Sequence, residues 1–331
     1  MRHTFFCIDA HACGNPVRLV AAGGPLLPHV PMRERRELFQ RDHDWIRKAL
    51  MFEPRGHDIM SGSIIYPAHR ADCDFAVLFI EVSGCLPMCG AGTIGTVTAA
   101  IEEGLVTPRQ PGRVAIETPA GRVDVSYEVK DGCVHSVRLY NVPSYLHQTD
   151  VEVDVPDMGW LRVDISYGGN YYAVVEPQEN WPGLAGMSAS DIVNCSQKLR
   201  SALAEVCNPV HPDDTRISGV HHAIWCDAGQ TNADGRGAVF YGDKAIDRSP
   251  GGTGTSARMA QLFGKGRLKV GDRFRNASLI GTVFEGRVED VIEVGPYRGI
   301  LPSIGGWARV IGHNTIFVDD CDPLAHGFQI E

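Results

Sequence analysis

The chain lacks an excess of positive charge. Its 331 residues carry 31 Lys and Arg against 40 Asp and Glu, a formal net charge of −9. A nucleic-acid-binding protein needs a basic face, so this balance argues against nucleic acid as a partner. The first six residues contain no apolar run long enough for a signal peptide or a membrane span. We therefore expect a cytoplasmic protein with no membrane partner.

The cysteine spacings typical of metal sites are also missing. The chain contains ten cysteines, but no pair has CxxC spacing and no His/Cys cluster has zinc-ligand spacing. We expect most of these thiols to be reduced and buried, and we expect no metal. Cys89 differs from the others, because it lies in a glycine-rich stretch before a predicted helix. That setting lowers the pKa of a thiol and favours the thiolate.

A glycine-rich stretch is present twice, at 87–95 and at 249–257. Aligning Cys89 with Gly251 gives an offset of 251 − 89 = 162, close to half of the 331 residues. Each copy runs into a segment with helical spacing, at 96–105 and 258–268. Free N–H groups and the positive end of the helix dipole meet at such positions, so carboxylate or phosphate is favoured there. The duplication predicts two anion-binding helix ends.

The segments around the glycine-rich stretches are repeated as well. Asp9 aligns with Asp164 at an offset of 155, and a Gly-Asn pair follows each. Both halves read as strand, strand, helix, strands, glycine-rich stretch, buried helix and strands. Such internal repetition indicates a duplicated α/β (α+β) protein with two lobes. We place the first lobe at 1–145, with 318–331 returning to it, and the second at 146–317, with the active-site cleft between them.

Several elements can be predicted individually. Apolar positions at helical spacing predict one helix over 32–51, and a Ser188…Asp191 capping signal predicts a helix over 189–206. The segment 143–150 is interpreted as a crossover between the lobes. Near the end of the chain, separate strands are predicted at 283–288, 291–294 and 308–311.

The two helix ends suggest a chemistry. Backbone N–H groups around Gly90 and Gly252 could hold a substrate carboxylate, which would place the substrate α-carbon between residues 89 and 251. A thiolate at Cys89 could then remove the α-proton, because a neutralised carboxylate stabilises the carbanion-like transition state. A substrate amine would need an acceptor, and Asp247 precedes the second stretch. Asp247 could equally form a turn or pair with Arg248.

The chain resembles the proline racemase family, and within it the 4-hydroxyproline epimerase branch. The resemblance covers nearly the full chain, and its motifs are Ile8–His11 with Cys13–Pro16, Phe52–Asp58, Met88–Gly95, Gly168–Ala173 and Phe240–Arg258. It implies a fold like that of diaminopimelate epimerase, in which each of two pseudo-symmetric lobes wraps a mixed β-sheet around a central apolar helix. It also implies a small proline-like amino acid as substrate, no cofactor and, in many members, a homodimer.

The resemblance assigns roles to individual residues. Cys89 is implied as the proton acceptor at the α-carbon. The residues implied to bind substrate are Gly90, Ala91, Gly252 and Thr253 at its carboxylate, Asp247 at its ring nitrogen and His222 at its ring hydroxyl. For His222 two alternatives remain, because it could be an inward strand histidine satisfied by its neighbours and because His221 competes for the role.

Two positions depart from the family pattern. Gly251 stands where the family has its second catalytic Cys, and Ala91 stands where it usually has His. A glycine side chain cannot carry a proton, so two-base inversion through residue 251 is excluded. Three interpretations stay open: slow epimerisation with water as the second acid, one-base dehydration of trans-3-hydroxy-L-proline, or a natural or engineered variant with little activity. A rival of a different class is a non-catalytic binder of proline-like acids. We expect a cofactor-independent hydroxyproline epimerase with slow or altered proton delivery, since loss of a general acid lowers rates about 10²–10⁴-fold.

Overall fold

A computed structural model describes residues 1–229 and 232–330 of the chain. The described residues form the helices α1 (Met32–Asp42), α2 (Asp44–Met51), α3 (Gly90–Glu102), α4 (Ala189–Val206) and α5 (Gly252–Gly264). The strands are β1 (Arg2–Ala12), β2 (Asn15–Ala22), β3 (Ser61–Tyr66), β4 (Phe75–Glu81), β5 (Gly84–Leu86), β6 (Arg113–Thr118), β7 (Gly121–Lys130), β8 (Cys133–Tyr140), β9 (Ser144–Val155), β10 (Gly159–Tyr167), β11 (Tyr171–Val175), β12 (Val210–His211), β13 (Asp214–Ser218), β14 (His222–Ala228), β15 (Gly235–Tyr241), β16 (Ala245–Ile246), β17 (Arg273–Ala277), β18 (Val283–Val294), β19 (Tyr297–Gly306) and β20 (Ala308–Asp319). None of the helices in these two ranges is long and apolar enough to cross a membrane.

The chain divides into two units. Unit 1 comprises Met1–Leu139 and Gly306–Glu331, and unit 2 comprises Tyr140–Gly305. The predicted first lobe and unit 1 each combine the N-terminal half of the chain with a C-terminal segment. The predicted boundaries at 145 and 318, and the cleft predicted with them, stay predictions.

The two units repeat one strand topology. In unit 1, β1 pairs antiparallel with β2, β2 parallel with β3, β3 antiparallel with β4, and β4 parallel with β6. In unit 2, β10 pairs antiparallel with β11, β11 parallel with β14, β14 antiparallel with β15, and β15 parallel with β17. The mixed parallel and antiparallel pairing is therefore identical in order, as expected for a duplicated unit.

Helices α3 and α5 are the buried helix of each unit. Their sequences, GAGTIGTVTAAIE and GTGTSARMAQLFG, are rich in Gly and Thr, which are weak helix formers. Burial compensates for this, since every residue from Gly90 to Ala100 is buried in α3. Small residues permit the close packing: a Cβ at Gly95 would lie 2.9 Å from Val17.

The structure corrects the predicted helix starts. The glycine-rich stretches are the first turns of α3 and α5, which begin at Gly90 and Gly252 rather than at 96 and 258. Helix α5 also ends earlier than predicted, at Gly264 rather than at 268. The first turns were not predicted as helical because glycine has a low helix propensity. Burial in the folded protein determines their conformation instead.

Other elements show the same competition between local pattern and tertiary context. The helix predicted over 32–51 is two helices, α1 and α2, separated at His43, whose φ of −134° is not helical. The predicted crossover at 143–150 is the start of strand β9, and the strands predicted at 283–288 and 291–294 are one strand, β18, with a bulge between Val288 and Asp290. Helix α4 is confirmed, including its capping box between Ser188 and Asp191.

Candidate active site

The N-terminus of α3 carries Cys89. Cys89 is the N-cap residue, with φ −138° and ψ 115°, and its Sγ accepts a hydrogen bond from the backbone N–H of Gly92 at 3.2 Å. Its side chain is buried, with 9% of the residue exposed. The N–H groups of Gly90 and Ala91 are in the first turn and have no intrahelical acceptor by position. The thiol and two N–H groups that favour an anion are therefore adjacent.

Glu81 lies beside this thiol. The Sγ of Cys89 is 3.8 Å from Glu81 Oε1, and the carboxylate also accepts hydrogen bonds from Ser61 at 3.3 Å and Ser83 at 2.6 Å. Glu81 is only 5% exposed, so its buried oxygens need these polar contacts. Glu81 is not among the site residues predicted from the sequence. The available signal was a single carboxylate at the end of β4, whose other six residues are all apolar and buried.

The N-terminus of α5 is built differently. Gly251 is the N-cap residue at φ 72° and ψ 109°, a region that favours glycine. Its N–H donates to Ser249 Oγ at 3.1 Å, and the Ser249 N–H donates to Asp247 Oδ1 at 2.7 Å. Gly252 and Thr253 follow in the first helical turn, where their N–H groups lack intrahelical acceptors by position. Asp247, Gly251, Gly252 and Thr253 are thus gathered at one helix end.

Asp247 is a buried carboxyl group with 9% of the residue exposed. Burial raises its pKa to about 7, and the hydrogen bonds from Ser249 and the charge of Arg248 oppose that shift. Oδ1 accepts the Ser249 N–H and closes a short turn, so one of the two carboxyl oxygens has the turn-forming role that the sequence suggested. The other oxygen, Oδ2, lies 3.4 Å from the position that a Cβ would occupy at Gly251.

His222 is a buried residue at the start of β14. In the described part of the chain its Nδ1 has no hydrogen-bond partner. Burial is the main cause that lowers the pKa of His222 to about 3, so the imidazole is neutral at physiological pH. The neighbouring His221 is exposed, which favours His222 as the residue that faces inward.

Tyr172 connects His222 to the helix end. The Tyr172 ring lies 5.1 Å from the His222 ring between centroids, because the parallel register of β11 and β14 places the two residues side by side. The Tyr172 hydroxyl is 2.7 Å from Thr253 Oγ1. Tyr172 belongs to the family motif at Gly168–Ala173, and no role is predicted for it from the sequence. Its position fixes Thr253 and covers one face of His222.

The repeated residues outside the glycine-rich stretches anchor α5. Gly168 packs its backbone against the helix, and a Cβ there would overlap the carbonyl oxygen of Thr253. Asn141 holds this contact by donating from Nδ2 to Gly168 O at 2.8 Å and Ser256 Oγ at 2.9 Å. Asp164, the partner of Asp9 in the repeat, accepts from Gln261 on the same helix at 2.6 Å. These contacts therefore support helix α5 along its length, behind its N-terminus.

The structure thus places the predicted site residues in two local groups. Cys89, Gly90 and Ala91 lie together in unit 1. Asp247, Gly251, Gly252 and Thr253 lie together in unit 2, with His222 linked to Thr253 through Tyr172. Within residues 1–229 and 232–330, no group of three or more His, Cys, Asp or Glu side chains could hold a metal ion.

Comparison with known proteins identifies relatives over the full chain. The proline racemase family model matches residues 7–329. A "4-hydroxyproline 2-epimerase 2" from Rhizobium rhizogenes is 78% identical over 331 residues, covering 100% of both chains. A probable proline racemase from Agrobacterium radiobacter, solved with bound carbonate, has a TM-score of 0.91 at 31% identity and covers 98% of this chain and 96% of that one.

A second solved structure bears on the ligand. A hydroxyproline epimerase from Agrobacterium vitis, solved with bound trans-4-hydroxy-L-proline, has a TM-score of 0.90 at 29% identity, covering 99% of this chain and 95% of that one. These comparisons confirm the predicted family and the predicted fold, a mixed α/β arrangement like that of diaminopimelate epimerase. They also confirm the prediction of an isomerase.

Proposed function

Because the chain belongs to the proline racemase family, we propose that it is a 4-hydroxyproline 2-epimerase that inverts the α-carbon without a cofactor. The observation that carries this proposal is the 78% identity, over all 331 residues, to a relative that bears this name. The trans-4-hydroxy-L-proline in the Agrobacterium vitis enzyme supports the same substrate class.

The proposal assigns the first proton transfer to Cys89. The thiolate takes the α-proton, and the electron pair of the broken C–H bond moves into the substrate carboxylate. The N–H groups of Gly90, Ala91, Gly252 and Thr253 stabilise the charge that develops on that carboxylate, because helix N-termini favour anions. Glu81 lies 3.8 Å from Sγ and gives the thiol a carboxylate with which to exchange its proton.

Substrate recognition is assigned to unit 2. Asp247 accepts a hydrogen bond from the ring nitrogen, which carries protons in the amino-acid form. His222 bonds the ring hydroxyl through Nδ1, an otherwise unpartnered buried atom among the described residues, so binding satisfies a polar group that burial leaves without hydrogen bonds. A substrate that lacks the hydroxyl leaves that atom unsatisfied, which gives a physical reason to prefer hydroxyproline to proline.

Proton exchange and inversion test the function directly. Trans-4-hydroxy-L-proline, L-proline and trans-3-hydroxy-L-proline are incubated with the protein in D₂O, and the α-proton is followed by NMR. The proposal requires deuterium at Cα together with formation of the cis-4-hydroxy-D epimer. Binding of all three acids without exchange would instead identify a non-catalytic binder.

One structural feature favours a second candidate, trans-3-hydroxy-L-proline dehydratase. The absence of a side chain at Gly251 removes the family's second thiol, and elimination needs only one base at Cα. In that reaction Cys89 takes the α-proton, the C–H electron pair forms the double bond between Cα and C3, and the 3-hydroxyl leaves as water with a proton from solvent. Loss of water from trans-3-hydroxy-L-proline in the same NMR experiment, without inversion of the 4-hydroxy acid, selects the dehydratase.

The assembly and the cellular location belong to the same proposal. The family resemblance supports a homodimer, and light scattering after gel filtration distinguishes a dimer from a monomer of 36.1 kDa. Location in the cytoplasm stays a prediction from the sequence.

A further inference from the structure

The proposed epimerisation leaves one proton unassigned. Cys89 removes a proton from one face of the α-carbon, and inversion requires a proton to arrive at the other face. Residue 251, where the family has its second thiol, is Gly251 and cannot carry that proton. The group that replaces the thiol must be close to the empty side-chain position, buried, and able to carry an exchangeable proton.

The surroundings of Gly251 identify one such group. A Cβ built at Gly251 would have as its nearest neighbours Val239 Cγ2 at 3.1 Å, Asp247 Oδ2 at 3.4 Å and Val239 Cγ1 at 3.5 Å. Asp247 Oδ2 is therefore the nearest polar atom to the position from which the thiol would project. Valine carries no exchangeable side-chain proton, so Asp247 alone among these neighbours can act as an acid or a base.

The hydrogen bonds of Asp247 engage Oδ1 and leave Oδ2 for proton transfer. Oδ1 accepts from the Ser249 N–H at 2.7 Å, which fixes the orientation of the carboxyl group. The Oγ of Ser249 in turn accepts from the Gly251 N–H at 3.1 Å. Ser249 therefore connects the Asp247 carboxyl group to the N-terminus of α5. Oδ2 is thereby directed to the side where Gly251 has no side chain.

The other polar groups near this helix end are less suited to the transfer. The Thr253 hydroxyl is 2.7 Å from the Tyr172 hydroxyl, and neither an alcohol nor a phenol ionises readily near neutral pH. His222 is kept neutral, because burial lowers its pKa to about 3. Burial raises the pKa of Asp247 to about 7, and a carboxyl group with that pKa can both donate and accept a proton near neutral pH.

We propose that Asp247 is the second acid–base residue of this enzyme and takes the place of the thiol that Gly251 lacks. The inference rests on the proposed epimerase function. Cys89 takes the α-proton and becomes a thiol while the C–H electron pair moves into the substrate carboxylate. The O–H bond of protonated Asp247 then breaks, its proton forms a new C–H bond on the opposite face, and Asp247 is left as a carboxylate. The reverse reaction exchanges the two roles, and solvent resets both groups.

The variant Asp247→Asn tests this role, because the amide keeps the shape and the Ser249 contact but cannot carry the proton. Asp243→Asn is the matched control, since Asp243 lies four residues earlier, in the β15–β16 turn, and is exposed and paired with Arg200 at 2.8 Å. Circular dichroism melting first establishes that each variant is folded. We expect Asp247→Asn to lower inversion of trans-4-hydroxy-L-proline about 10²–10⁴-fold and Asp243→Asn to leave it unchanged.

Loss of inversion alone would not separate proton transfer from binding of the ring nitrogen. Elimination of chloride from the two α-epimers of 3-chloroproline separates them, because it requires removal of the α-proton but no delivery to the other face. We expect Asp247→Asn to keep elimination from the epimer that Cys89 deprotonates and to lose it from the other. Cys89→Ser should show the opposite selectivity, and Asp247→Glu, which retains a proton-carrying group, should recover part of the inversion.

Three outcomes are informative. If Asp247→Asn inverts hydroxyproline like the unmodified protein, the inference is wrong. If it loses elimination from both epimers to the same extent, with a raised KM, Asp247 only binds the ring nitrogen and the inference is again wrong. In both cases the epimerase function stands. If the unmodified protein inverts neither epimer of 4-hydroxyproline, the proposed function itself is wrong, whatever the variants do.

Discussion

Substitution of Gly251 by alanine probes the backbone on which the second helix end depends. At φ 72° and ψ 109°, residue 251 is in a region that a residue with a Cβ rarely adopts. Backbone strain of this kind costs about 1–3 kcal/mol. The added Cβ would also lie 3.1 Å from Val239 Cγ2, a residue only 3% exposed, so the core cannot move freely to accommodate it. We expect Gly251→Ala to lower the free energy of unfolding by about 2–4 kcal/mol.

Gly266→Ala is the matched control. Gly266 has the same φ of +72°, follows the other end of α5, and has no atom within 4 Å of its built Cβ. It therefore experiences the unfavourable φ without the contact to Val239, and we expect a loss of about 1 kcal/mol. For a unit of this size, 1 kcal/mol corresponds to about 2–4 °C in Tm. Gly251→Ala should accordingly melt several degrees below Gly266→Ala.

Thermal unfolding followed by circular dichroism measures both variants, with urea unfolding as the check on free energies. Equal losses in the two variants would refute the reasoning, because they would mean that the contact with Val239 contributes nothing. Gly251→Cys carries the same Cβ as Gly251→Ala and adds a thiol. We expect it to match the alanine variant in stability, because both variants place the same Cβ 3.1 Å from Val239 Cγ2.

The remaining predictions concern single side chains. Cys89→Ser should abolish removal of the proton from the face that Cys89 serves while keeping a cap for the Gly92 N–H, whereas Cys89→Ala should also lose about 0.5–2 kcal/mol of stability; NMR exchange and urea unfolding measure the two effects. Tyr172→Phe removes the buried hydroxyl partner of Thr253, and we expect a loss of about 1–3 kcal/mol in urea unfolding, so an unchanged midpoint would contradict this contact. The pKa of Asp247 is raised to about 7 from an ordinary 3.8. The protonated carboxyl group therefore contributes its full share of the free energy of unfolding below pH 3.8, and this contribution is lost as pH rises through about 7. Relative to Asp247→Asn, the unmodified protein should lose up to about 1.4 kcal/mol per pH unit over that range, and parallel stability curves would contradict the shift.

Patterns that recur within the sequence were the reliable guide to this fold. The two glycine-rich stretches and the two Asp…Gly-Asn segments predicted a duplicated α/β protein, and the strand pairings repeat in the same order in both units. The Ser188…Asp191 signal predicted α4 correctly because a capping box is a local interaction. The comparisons also confirm the family indicated by the motif at Met88–Gly95.

The sequence by itself determined which chemical groups are available: one thiol at Cys89, none at position 251, and a carboxyl group at Asp247. Tertiary structure decided what surrounds them. It placed Glu81 beside Cys89, left Nδ1 of His222 buried without a partner among the described residues, and directed Oδ2 of Asp247 towards Gly251.

The same division explains the helices and strands that were predicted wrongly. Glycine and threonine disfavour a helix locally, yet complete burial makes helices of the first turns at Gly90 and Gly252. Spacing and propensity are properties of a segment, so they can be read from the sequence. Burial and the direction of one carboxyl oxygen depend on residues far apart in the chain, so only the folded structure fixes them.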